Sequence, residues 1–293
     1  MLTYIEIKGN SQAGGGHLFG FSFPDLMPWN HFSSGIMNRK ALQIANGIAL
    51  LVVLIINGLA GTRIFNGNTL ADVSARYANY FTPAGYAFFI WIIIYLGLIG
   101  FVVYGGRGLF TRKEDDRELL EIGWWFVVSC IANCLWVLAW LYDFTGLSVL
   151  LMGVLLFSLG RIIVNTDMEK RYDPLSRFVF IWWPFSFYSA WILVAFMANV
   201  AAYLTKLKEG GQGISVGLAV IMIIVTAIIN LWITWNRNMR EFAMVGAWGL
   251  VAVAVANWHG QAAIVWSAMV AAVIVLASSM IHGYKNREMA YKR

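Results

Sequence analysis

From residue 42 to residue 281 the chain is a succession of long apolar stretches separated by short polar breaks. A helix needs about 20 largely apolar residues to cross the hydrocarbon core of a bilayer. Eight stretches qualify, at roughly 42–61, 84–105, 123–142, 146–164, 178–204, 214–235, 242–258 and 263–281. The pattern predicts an all-α, polytopic membrane helix bundle. The seventh stretch is the shortest. The breaks at 143–146 and 258–262 are tight, so spans three and four, and spans seven and eight, are expected to form helical hairpins.

Residues 1–36 carry no such period. They hold three consecutive glycines at 14–16, isolated aromatics and few charges. They lack the basic start, apolar centre and small-residue cleavage site of a signal peptide. The expectation is a disordered tail, with Met37 and the basic pair Arg39 and Lys40 directly before span one resembling a natural start.

Composition agrees with the spans. The chain is 60% hydrophobic and only 12% charged, with mean hydropathy +0.68. Soluble domains carry about a quarter charged residues, so this chain does not cover a water-facing surface. The formal charge of +6 is read by position. Sixteen Lys and Arg fall on the side of residue 40, in the breaks at 106–122, 161–177 and 236–241 and after 282. The opposite side carries four: Arg63, Arg76, Lys206 and Lys208. The positive-inside rule then puts both termini in the cytoplasm. The basic residues orient the chain and give no reason to expect nucleic acid as a partner.

The centres of the spans contain no Asp, Glu, Lys or Arg. Ion-coupled pumps place such groups in the membrane, so that class is disfavoured. No HExxH, Walker A or GxSxG motif is present, and the histidines, His17, His31, His259 and His282, are scattered. An enzyme and a metal site are therefore not expected. Cys130 and Cys134 are one helical turn apart with parallel side chains, which suits packing and not a disulfide.

What remains in the spans is amide and aromatic. Asn46, Asn57, Asn133, Asn199, Asn230 and Asn257 each need a partner in hydrocarbon, and any one alone reads as interhelical glue. Three spans add aromatic stripes. Trp91 and Tyr95 are spaced i, i+4 on span two. Asn133, Trp136 and Trp140 follow i, i+3, i+7 on span three. Tyr188, Trp191, Ala195 and Asn199 follow i, i+3, i+7, i+11 on span five. Trp91 and Trp191 lie deeper than the interface tryptophan usually prefers. Span two enters from the side where spans three and five end, so the stripes converge in one half of the bilayer. The expected site is an aromatic pocket with a few amides, lidded by the long break at 62–83.

These residues resemble the TspO (TspO/MBR, tryptophan-rich sensory protein or translocator protein) family over residues 37–205. The matching motifs are Pro83 with Trp91 and Tyr95, Asn133-x-x-Trp136, and Tyr188-x-x-Trp191-x-x-x-Ala195-x-x-x-Asn199. Gly85 stands where the family usually has a tryptophan, and Phe187 stands where it has a proline, with Pro184 a turn earlier. The resemblance implies a five-helix domain over 37–205, extended at 206–293 by about three further spans. It implies a site built from Pro83, Trp91, Tyr95, Asn133, Trp136, Trp140, Tyr188, Trp191, Ala195 and Asn199. The implied ligand is flat and hydrophobic: a tetrapyrrole (porphyrin), sterol or isoprenoid, bound as ligand and not as resident cofactor. The implied role is a membrane sensor or binding protein, with transport of such molecules as the alternative. The expected partners are that ligand and the lipid bilayer, with a homodimer left open. The expected location is the bacterial inner membrane.

Overall fold

The computed structural model describes residues 39–109, 117–169, 174–208 and 213–291. The tail expected at 1–36 lies outside these residues. Among them every regular element is helical. In chain order they are α1 (Arg39–Ala60), α2 (Leu70–Arg76), a 3-10 turn (Gly85–Phe89) leading into α3 (Ile90–Gly106), α4 (Arg117–Ile122), α5 (Trp125–Leu141) and α6 (Thr145–Asn165). There follow α7 (Leu175–Arg177), a π-helical turn (Phe178–Trp182) leading into α8 (Trp183–Leu207), α9 (Val216–Arg237), α10 (Arg240–Ala256) and α11 (Ala262–Tyr291).

Each of the eight apolar stretches is a helix. Among the described residues six segments are long and apolar enough to cross a membrane: Arg39–Ala60, Gly85–Leu109, Thr145–Asn165, Leu175–Leu207, Val216–Arg237 and Ala262–Lys285. The other two, α5 and α10, have 17 residues each, at the short end of the spanning range of roughly 17–25. The breaks have local causes. Asp143 and Asn238 take left-handed backbone conformations (φ 66° and 60°) at the α5–α6 and α9–α10 turns, and Gly123 does so (φ 54°) between α4 and α5.

The axis of the bundle is α8. Its most apolar window is 56% buried, against 28–39% for the other five segments. One core cluster joins α1, α3, α5, α6 and α8. A second joins the end of α8 to α9, α10 and α11. Residues of α10 belong to both, with Phe242, Val245 and Ala252 in the first and Ala243, Leu250 and Val253 in the second. The C-terminal helices are thus packed into the bundle through α10.

Glycine permits this approach. A Cβ at Gly249 would stand 2.7 Å from Val194 of α8. A Cβ at Gly246 would overlap the side-chain amide of Asn230 on α9. That amide donates from Nδ2 to the Thr226 carbonyl (2.8 Å) and leaves its Oδ1 without a partner. Gly246→Ala should therefore lower the melting temperature in detergent, by the roughly 1–3 kcal/mol typical of overpacking. The double change Gly246→Ala with Asn230→Ala should recover part of that loss; no recovery would mean the clash is not with Asn230.

The end of the bundle at residue 40 is joined by charge. Arg177 and Glu118 form a buried ion pair at 2.6 Å between α7 and α4, and Arg237 donates to the Ile163 carbonyl (2.8 Å). Burial, with the Glu241 carboxylate beside it, pushes Glu169 up to about 8 at this end.

Candidate functional site

At the opposite end, a cavity of about 560 Å³ lies between the last turn of α1, helix α2 and the entry to α3. Asn57, Ala60 and Gly61 line it from α1. Leu70, Ala71, Ser74, Ala75 and Ala78 form its roof, and Pro83, Gly85, Phe88 and Trp91 its far wall. Small-molecule pockets run roughly 300–1,000 Å³. A second hollow, about 330 Å³ between α5 and α6, is lined by Leu135, Leu138, Leu147 and similar apolar groups, with no convergent polar group to orient a ligand.

Trp91 carries the cavity into the bundle. It stacks on Tyr95 (centroids 5.2 Å, planes 22° apart) and meets Tyr188 edge-on at 5.9 Å. Asn133, fully buried on α5, donates from Nδ2 to the Tyr188 hydroxyl (3.1 Å). Its Oδ1 accepts from Asn57 Nδ2 (2.9 Å), and the same Asn57 amide donates to the Val53 carbonyl (2.9 Å). One amide in the middle of an apolar helix thus ties α1, α5 and α8 together directly behind the cavity wall. Phe88 touches Trp191 edge-on (5.7 Å), which links the wall to α8 a second time.

Three buried donors around this network have no acceptor: the Tyr95 hydroxyl, Trp136 Nε1 and Trp191 Nε1. Native structures leave few such groups unpaired, and each costs about 1–3 kcal/mol when it is.

The break at 62–83, expected as a loop lying over the pocket, carries the seven-residue helix α2 in that place. Thr69 and Asp72 form a capping box: Thr69 Oγ1 accepts from the Asp72 N–H (3.1 Å), and Asp72 Oδ2 accepts from the Thr69 N–H (2.9 Å). The Thr69 backbone and hydroxyl donors hold the Asp72 carboxyl below its ordinary value. The helix is tethered on its outer side. Trp140 Nε1 donates to the Leu70 carbonyl (3.3 Å), and Asn66 and Asn68 donate to the Leu141 carbonyl (3.2 and 3.1 Å). The Tyr77 hydroxyl donates to Asp143 Oδ2 (3.0 Å), where Lys206 Nζ (3.1 Å) and Arg76 (3.9 Å) also converge. Burial, with the Asp143 carboxylate next to it, raises the Tyr77 phenol above its ordinary value.

Of the ten residues named from the sequence, Pro83 and Trp91 line the cavity. Tyr95, Asn133 and Tyr188 form the network behind it, and Trp191 reaches it through Phe88. Trp136 is buried in the same core, and Ala195 packs against it half-buried. Trp140 anchors the roof. Asn199 lies apart: its Oδ1 accepts from Ser148 Oγ (3.0 Å), a link between α6 and α8. Sequence reasoning missed Asn57 and the roof residues Ala71, Ser74, Ala75 and Ala78. A signal for the roof was present. Thr69-x-x-Asp72 is a capping pattern, and residues 71, 75 and 78 share one helical face.

The family described as TSPO-like protein matches residues 43–281, a stretch that begins within α1, ends within α11 and takes in every long helix between them. No curated protein and no solved structure matches the chain.

Proposed function

The chain belongs to the TSPO-like protein family, a multi-pass membrane family of ligand binding or transport, and from that premise we propose that it is a binding protein for a flat hydrophobic ligand. A tetrapyrrole leads the candidates, ahead of a sterol or an isoprenoid. One observation carries this reading: a cavity of about 560 Å³ has Trp91 in its wall, stacked on Tyr95, and the core behind that wall holds three buried donors, on Tyr95, Trp136 and Trp191, that have no acceptor. Aromatic faces suit a planar conjugated ligand. Unpaired N–H and O–H groups suit a ligand that brings carbonyl or carboxylate oxygens.

The test is quenching of intrinsic tryptophan fluorescence in purified protein titrated with protoporphyrin IX, then with cholesterol and farnesol. Trp91→Ala should weaken protoporphyrin binding by about tenfold or more, since it removes both cavity wall and stacking partner. Ala75→Phe should block binding by filling the cavity from the roof. Equal affinity in all three proteins would place the ligand elsewhere. Reconstituted vesicles that accumulate many porphyrins per protein would assign transport instead of binding.

We also place both termini in the cytoplasm, from the sixteen-to-four distribution of basic residues. In a background with Cys130 and Cys134 replaced by Ala, an impermeant thiol reagent added outside should label a cysteine at Ile64 and spare one at Leu175. Both positions are exposed and lie at opposite ends of the bundle. The reverse labelling would invert the topology.

A further inference from the structure

The far wall of the cavity is carried by the segment 80–91, which is held within itself only by short turns. It has one 3-10 turn and a few local turn hydrogen bonds before α3 begins. Yet it carries Pro83, Gly85, Phe88 and Trp91 into the cavity. Beyond the ring contacts of Phe88 and Trp91 with α8, its restraints come from the C-terminal helices. Asn257, at the end of α10, donates from Nδ2 to the Tyr80 carbonyl (3.1 Å). The Ala84 N–H donates to the Ala252 carbonyl (3.0 Å). Trp248 Nε1 donates to the Ala87 carbonyl (3.4 Å), and its ring meets Tyr86 edge-on at 5.1 Å. Between these bonds Phe81, fully buried, is inserted into the core formed by α9, α10 and α11.

Helix α10 is also pressed on α8. Gly249 meets Val194 there, one turn from Trp191. The helix therefore fixes both the cavity wall and its spacing from the aromatic residues of α8. The roof helix α2 differs: its tethers run to α5 and to Asp143 of the α5–α6 turn, and the latter are partly exposed.

We propose that α10 is the fixed jaw of the ligand site, with Trp248 and Asn257 as positioning residues that set affinity by holding the 80–87 backbone. This inference rests on the pocket reading above. It gives the three C-terminal helices a role in binding that no residue of theirs performs by lining the cavity.

The experiment compares wild-type protein with Trp248→Phe, Asn257→Ala and the double variant, all full-length and in detergent. Amide hydrogen exchange is read at 80–87 and across α2, and protoporphyrin IX affinity is read by quenching. Trp248→Phe keeps a ring against Tyr86 and removes only the N–H donor. The indole it replaces is 40% exposed, so this variant carries the test if the double variant does not fold. Exchange at 80–87 should rise while α2 is unmoved. Affinity should fall about three- to tenfold for each donor removed, the equivalent of one neutral hydrogen bond. Melting temperatures should stay close to wild type. Unmoved exchange, or raised exchange with unmoved affinity, overturns the inference and leaves α10 a structural brace. Wild-type protein that binds no probe overturns the pocket reading, and the inference falls with it.

Discussion

Replacing Asn133 by leucine should melt the bundle at a lower temperature and weaken ligand binding together. The side chain is fully buried and both of its polar atoms are engaged, one by Asn57 and one by Tyr188. Leucine fills the volume and answers neither. The Tyr188 hydroxyl then has no donor, and Asn57 keeps only its bond to the Val53 carbonyl. A buried polar atom left unpaired costs about 1–3 kcal/mol, whereas interhelical hydrogen bonds in membrane proteins average about 0.6. The larger figure applies, because the partners stay behind in hydrocarbon. Tyr188→Phe removes one link and leaves Asn133 its bond to Asn57, so it should cost less. The effect on binding travels through Asn57, which does line the cavity. With its amide released, affinity should fall by about tenfold, equivalent to one oriented polar contact. Melting curves and quenching titrations of the two variants check this. An Asn133→Leu protein that melts like wild type would show that the three-helix link contributes nothing.

Asp143→Ala should act on rate more than on stability. Tyr77, Lys206 and Arg76 all converge on this carboxylate, and two of the three sit on or beside the roof helix. The pairs are partly exposed, and such pairs are worth about 0–1 kcal/mol each, so the melting temperature should fall mainly by the roughly 1 kcal/mol that alanine costs in the left-handed backbone at 143, a cost that Asp143→Asn avoids. A seven-residue helix, however, does not hold itself together. Freed from Asp143, α2 keeps its capping box, the Trp140 bond to Leu70 and the Arg76 bond to Asn68, and should open more often. Dissociation of protoporphyrin IX, followed by stopped flow, should quicken about tenfold if the tethers sum to roughly 1.4 kcal/mol. Raising the ionic strength should reproduce part of the change in wild type and little of it in the variant. Asp143→Asn, which keeps an acceptor for Tyr77 and loses the charge, should fall between. An unchanged dissociation rate in Asp143→Ala would mean that the roof does not gate the site.

The long helices were legible because each is a continuous apolar run, and no soluble arrangement buries eight of them. The pairing of Asn133 was not. Asn57 lies 76 residues away, and whether two amides in different helices meet depends on depth and rotation, which sequence spacing within one helix does not set. The same limit explains Asn199. It shares a stripe with Tyr188 and Trp191 on paper, but eleven residues of helix carry it to another level, where Ser148 takes it. Helix α2 was passed over for a different reason. Its seven residues are too few and too polar to stand out from a loop, although its cap is written in Thr69 and Asp72. The hold of α10 on 80–87 runs largely through backbone carbonyls and one backbone N–H, groups that every residue carries and no sequence distinguishes.

The roof of the cavity has a consequence for what the site accepts. Apart from Leu70 at one end, its inner face is built from Ala71, Ser74, Ala75 and Ala78. Alanine has no side-chain freedom to lose on burial, and serine has little. Closing this surface over a guest therefore carries almost the same entropy whatever the guest's outline, because no rotamers must be chosen to fit it. The opposite face is set by larger rings in defined contacts, Phe88 edge-on to Trp191 and Trp91 stacked on Tyr95, which must fit the guest's outline. Tolerance and discrimination are thus divided between two sides of one cavity, and a single lengthened side chain on the roof would exchange the first for the second.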